Sequence, residues 1–153
     1  MIFIECKPDA ELVKIFGIPQ KEIHHVGGKS EVCRRLRKFE NQKGLVDEDP
    51  FSVQPRYVRE ECKMWKNLSD YCFKILKDRS NNKLIVLCPR LEEWVLKAAR
   101  RAGIDVKNYG LPDDGDKLHE VINMNIRKFK KLLNDLKDKS DMLKTLGKFI
   151  KNV

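Results

Sequence analysis

Two hydrophobic periods alternate along the first half of the chain. Ile2-Phe3-Ile4 is a short apolar run, which predicts a buried strand ending at Glu5. Pro8-Asp9 then opens a stretch with apolar positions at Leu12, Val13, Ile15 and Phe16, closed by Gly17, and this spacing predicts a helix. Glu22 to Val26 predicts a second strand and Gly27-Gly28 a sharp turn. Ser30 is placed to cap the next helix, whose inner face holds Val32, Cys33, Leu36 and Phe39. A third strand follows Gly44 at Leu45-Val46 and stops at Asp47-Glu48-Asp49-Pro50.

Strand, helix, strand, helix, strand within about fifty residues implies right-handed crossovers and a mostly parallel sheet. Phe51 to Lys66 contains Pro55 and scattered aromatics, and reads as a loop or a short helix. Two further strands, Phe73 to Leu76 and Lys83 to Cys88, flank a polar Arg79-Ser80-Asn81-Asn82 turn. Pro89 starts another helix, with Leu91, Trp94, Val95 and Ala98 at helical spacing and Gly103 at its end. Beyond an acidic Leu111 to Gly115 loop, Leu118 to Leu136 marks one amphipathic helix and Met142 to Ile150 a second, with Ser140-Asp141 as its cap. The expected architecture is an α/β domain over residues 1–110, with a basic helical extension over 116–153 packed on it.

Composition narrows the class. The 153 residues are 41% hydrophobic and 36% charged, with no apolar run near the ~18–20 residues a bilayer span needs. The start, MIFIECKPD, lacks the basic n-region of a signal peptide. Cysteines at 6, 33, 62, 72 and 88 are odd in number, widely spaced and without a CxxC pair, which argues against a disulfide framework or a zinc site. Reduced thiols in a cytoplasmic protein are the expectation, with Cys6 and Cys88 packed as small hydrophobes. The formal charge is +9, and Lys117 to Val153 alone carries ten basic and four acidic residues. Such an excess attracts polyanions, nucleic acid above all.

The candidate chemistry is acidic. Glu5 closes the first strand, and Asp47 and Asp49 close the third. Parallel strands end at one edge of a sheet, ~4.8 Å apart when adjacent, so these carboxylates can meet around a divalent ion. Magnesium takes oxygen ligands, and manganese serves similarly. His24 and His25 are neighbours on a strand and point to opposite faces, while His119 falls on a helix surface. Trp65, Trp94 and Phe73 have the rings to stack on bases but sit in core-like apolar patterns.

IFIECKPD with its following helix, then HHVGGKSEV, then GLVDEDP, resembles the Toprim domain of topoisomerases, bacterial primases, small ribosomal-RNA maturases, recombination proteins and overcoming-lysogenization-defect nucleases. In that resemblance Glu5 matches the first acid, Asp9 the acid that follows it, Gly28 and Lys29 the middle turn, and Asp47 and Asp49 the Asp-x-Asp pair. Cys6 stands where the family usually has glycine, and Pro50 follows Asp49. CPRLEEWVLKA, with Glu92, Glu93 and Trp94, looks like a stretch of small Toprim-like proteins.

The resemblance implies Mg2+- or Mn2+-dependent phosphoryl transfer on DNA or RNA, a small nuclease being the simplest form. It would place Asp47 and Asp49 on the metal. Glu5 would complete the metal shell or act as general acid/base, and Lys7 and Lys29 would touch phosphates. Tyr57, Tyr71 and Tyr109 carry no topoisomerase motif. A non-catalytic nucleic-acid-binding module, or a subunit of a larger repair or defence complex, is the alternative. The apolar faces of the C-terminal helices also leave room for a homodimer.

Overall fold

The computed structural model describes residues 1–151, so the last two positions of the expected 116–153 extension lie outside the described residues. Six strands form one sheet: β1 (Ile2–Ile4), β2 (Ile23–His25), β3 (Lys43–Asp47), β4 (Lys63–Leu68), β5 (Phe73–Lys77) and β6 (Lys83–Leu87). Their order is β2-β1-β3-β6-β5-β4. The first four in that order run parallel, and β5 is antiparallel to both β6 and β4. The α/β fold with a mostly parallel sheet agrees with the alternating pattern read from the sequence.

Among the described residues there are six α-helices: α1 (Lys7–Lys14), α2 (Lys29–Leu36), α3 (Leu91–Arg101), α4 (Gly115–Val121), α5 (Ile126–Lys137) and α6 (Asp141–Lys151). The period of two along the strands sorts side chains to the two faces. Ile2, Ile4, Leu45, Phe73, Ile75, Ile85 and Leu87 face one core with α1 and α3, and the C-terminal helices belong to this same core through Leu118, Phe129, Leu132, Leu136, Leu143 and Leu146. Phe3, Val46, Leu76, Leu84 and Val86 face the other with α2 and Tyr57. α5 lies on α1 and α6 on α3. None of the helices is long and apolar enough to cross a membrane, among the described residues.

Gly44 shows how closely α2 sits on the sheet. A Cβ there would lie 2.7 Å from Val32 Cγ1 and 3.0 Å from Leu84 Cδ1. Gly44→Ala therefore forces the helix outward, and overpacking of this kind costs about 1–3 kcal/mol. A lowered urea midpoint with an unchanged m-value is the expected readout.

Several local expectations are corrected. Helix α2 starts at Lys29 with Gly28 at its cap, because positive φ at Gly27 and Gly28 (89° and 144°) turns the chain before Ser30 is reached. Phe39 lies past the end of α2 and is 37% exposed, although its ring stays 5.6 Å from that of Phe3. Phe51 to Lys66 is neither plain loop nor ordinary helix. It holds a π-helical turn at Tyr57–Glu61 and then β4, whose residues Lys63 to Asn67 are all exposed. An edge strand with both sides wet has no burial alternation to read.

Trp65 belongs to this strand, so it is no core residue. Lys83 Nζ stands 4.4 Å from its ring centre. The helix expected over Leu118 to Leu136 is broken at Ile122–Asn125, where Asn125 Nδ2 donates to Val121 O at 2.8 Å. Trp94 and Phe73 are core, whereas Cys6 is exposed at the start of α1.

Candidate functional site

The sheet order makes a crevice. From β1 the chain crosses to β2 on one side through α1, then to β3 on the other side through α2. The two helices lie on opposite faces, so the carboxyl ends of β1 and β3 flank a topological switch point. Open α/β sheets bind ligands at such a point. Glu5 and Asp47 are the residues at those two ends.

Their carboxylates are built into the backbone of the crevice. Asp47 N donates to Glu5 Oε2 at 2.9 Å, tying β3 to β1. Leu91 N, in the first turn of α3, donates to Asp47 Oδ1 at 2.9 Å. Cys6 N and Sγ donate to Asp9 Oδ2 at 3.3 and 3.2 Å across the first turn of α1. Backbone N–H groups at the amino-terminal ends of α1, α2 and α3 thus point at these acids, at Asp9, Glu5 and Asp47 respectively, and favour their negative charge.

Burial and crowding oppose that help. Asp9 is 2% exposed, and its carboxyl is pushed up to about 7 by burial, with Glu5 and Glu92 adding to the rise. Burial also pushes Asp47 up to about 8, reinforced by Asp9, Glu5 and Glu92. Glu5 is raised chiefly by burial. Desolvation and like-charge repulsion therefore outweigh the hydrogen bonds. Glu92, which the sequence flagged only as part of CPRLEEWVLKA, joins this group: it is 4% exposed, and its Oε1 lies 3.3 Å from His119 Nδ1. Glu93 turns away and pairs with Arg90, which also bonds Asp116.

Asp49 differs from Asp9 and Glu92 in facing solvent. It is exposed at the start of a loop, with φ of 46°, and its N–H donates to Pro89 O at 2.9 Å. Lys29 is the cation of the site. Its ammonium donates to Glu48 O at 2.7 Å and to Gln54 Oε1 at 2.8 Å. Burial lowers its pKa, while Glu5, Asp49 and Asp47 act in the opposite direction. Lys7 is exposed on the first turn of α1. His24 is half-buried 5.6 Å from the Phe3 ring and His25 is exposed, so neither enters the crevice as a pair.

The donors are the hard oxygens a magnesium ion prefers. Asp47 accepts from Leu91 N through Oδ1, and Glu5 from Asp47 N through Oε2 with the Lys29 backbone N–H also directed at its carboxylate. Among the described residues, however, no three His, Cys, Asp or Glu side chains already stand as a metal-holding group. No family model matches the chain, and no curated protein or solved structure does either.

Proposed function

We propose that the protein is a divalent-metal-dependent nucleic-acid phosphotransferase of Toprim type, acting as a small nuclease. The observation that carries this reading is the pairing of Glu5 with the Asp47 backbone at the switch point, with Asp9 and Glu92 buried behind them. Crowded carboxylates raised by one another gain most from a cation. Glu5, Asp47 and Asp49 are the residues that would hold Mg2+ or Mn2+, and the ion would stabilise charge developing on the transferring phosphate. Glu5, whose pKa burial raises, is placed to exchange a proton with the attacking or leaving oxygen. Lys29 and the exposed Lys7 offer positive charge to phosphates alongside.

Labelled DNA and RNA incubated with the purified protein and Mg2+ or Mn2+ test this directly. Cleavage that is lost with chelator and in Asp47→Asn supports the reading. An absence of cleavage, or equal cleavage by the variant, overturns it.

One observation favours a second reading, a non-catalytic nucleic-acid-binding module. The Lys29 ammonium already lies among Glu5, Asp47 and Asp49 and offsets part of their charge. On that reading, salt-sensitive binding persists unchanged in chelator and in Asp47→Asn.

A further inference from the structure

Between β3 and the π-helical turn, the loop carries two apolar side chains that the fold does not use. Phe51 is 101% exposed and Val53 is 93% exposed. Hydrophobic burial gives folding no reason to hold a phenyl ring wholly in water.

The loop beneath them is tied down. Ser52 N and Oγ donate to Asp49 O at 3.1 and 2.9 Å. Gln54 Nε2 donates to Glu48 O and Asp49 O, both at 3.1 Å, and Lys29 clamps Glu48 O and Gln54 Oε1 from below. A ring carried on a backbone held this way loses little conformational freedom on docking.

We infer that Phe51 is a stacking platform for an unpaired base of a single-stranded nucleic acid. This rests on the phosphotransferase reading for where the strand's backbone runs, past Asp47 and Asp49. Phe51 is two residues from Asp49, so their Cα atoms are at most about 7 Å apart, the scale of one nucleotide step. Positive charge is carried by the same loop and its continuation: the Lys29 ammonium is held against it by Glu48 O and Gln54 Oε1, and the exposed Arg56 and Arg59 follow it, Arg59 Nε donating to Gln54 O at 3.1 Å and Arg56 pairing with Glu60.

An unpaired strand offers the face of a base to an aromatic ring, whereas a duplex keeps its bases stacked inside. A lipid surface fits less well, because two side chains bury too little apolar area to anchor on one.

Fluorescence anisotropy with an unstructured labelled oligonucleotide and a blunt hairpin duplex, in magnesium and in chelator, tests the inference. Phe51→Ala is expected to weaken single-strand binding about tenfold. Phe51→Trp keeps the affinity, the duplex changes less than about twofold, and the melting temperature of both variants stays at the wild-type value. Equal single-strand affinity of wild type and Phe51→Ala overturns the inference. So does an equal loss on the duplex, or a ring needed instead for pelleting with anionic vesicles or for self-association. Phe51-dependent binding without any cleavage supports the platform while removing the phosphotransferase reading. A wild-type protein that binds neither oligonucleotide removes both.

Discussion

Asparagine in place of Asp47 is expected to have two opposite effects, removing metal-dependent cleavage and making the protein more stable at pH 8. If, as proposed, Asp47 is a metal ligand, it supports several kcal/mol of transition-state charge stabilisation, and its loss costs at least about a hundredfold in rate at 1.36 kcal/mol per decade. The gain in stability follows from protons. Asp47 titrates near 3.9 in an unfolded chain and at about 8 in the fold, because burial and the neighbouring acids resist its charge.

Between those values the native state holds a proton that the unfolded chain has released. Stability therefore falls as pH rises through this window, by up to about 1.4 kcal/mol per pH unit for one such acid. Asp9, raised to about 7, acts in the same direction over a shorter window. Above the folded values the penalty is complete.

The asparagine amide carries no charge, yet its oxygen can still accept from Leu91 N–H. At pH 8 Asp47→Asn is therefore expected to exceed wild type by at least about 1 kcal/mol, with convergence near pH 4. Urea unfolding at pH 5, 6.5 and 8 measures both slopes. Parallel curves would mean that Lys29 already neutralises the cluster. Added magnesium should stabilise wild type more at pH 8 than at pH 5, and Asp47→Asn less than wild type at pH 8.

Glu5 and Asp47 were legible because each ends a short apolar run, and parallel strands must finish at one edge. Asp49 is less firmly placed by that argument: two residues beyond Asp47 the chain has left the strand and entered a positive-φ turn, where period-two reasoning no longer applies. Glu92 was hidden for a related reason. It sits in the first turn of an amphipathic helix, where an acid is ordinarily a surface residue favoured by the helix dipole, and its burial is tertiary: α4 packs on α3 and sets His119 Nδ1 3.3 Å from its carboxylate. β4 escaped notice because its burial comes from neither face, and Trp65 within it borrowed the look of a core residue. The break after Val121 depends on one asparagine side chain taking a backbone carbonyl, a choice that hydrophobic spacing does not encode.

Asn82 is the largest such omission, and replacing it should be among the most damaging changes to stability. As the last residue of the polar turn that begins at Arg79 it reads as solvent-facing, yet it is 0% exposed. The two N–H groups of its Nδ2 are shared among Leu36 O at 2.9 Å, Phe39 O at 2.8 Å and Asp78 Oδ2 at 2.9 Å, and its Oδ1 accepts from Gln42 N at 2.9 Å. One side chain thus closes the end of α2, the approach to β3 and the β5–β6 turn, and Asp78 passes the tie to Tyr57 through a 2.6 Å hydrogen bond from the phenol.

Asn82→Ala leaves several of these backbone groups unpaired, at about 1–3 kcal/mol each, so a total loss of about 3–5 kcal/mol is expected. Asn82→Asp should be no better, because it sets a second carboxylate against Asp78 and two carbonyls. Ser80→Ala, exposed in the same turn, should stay within about 0.5 kcal/mol. Asn82 adjoins the start of β6, at the opposite end of the parallel strands from Glu5 and Asp47. Activity per folded molecule should therefore survive Asn82→Ala at low temperature even as the unfolding midpoint drops. A variant that stayed folded but lost cleavage would instead tie the far end of the sheet to the crevice.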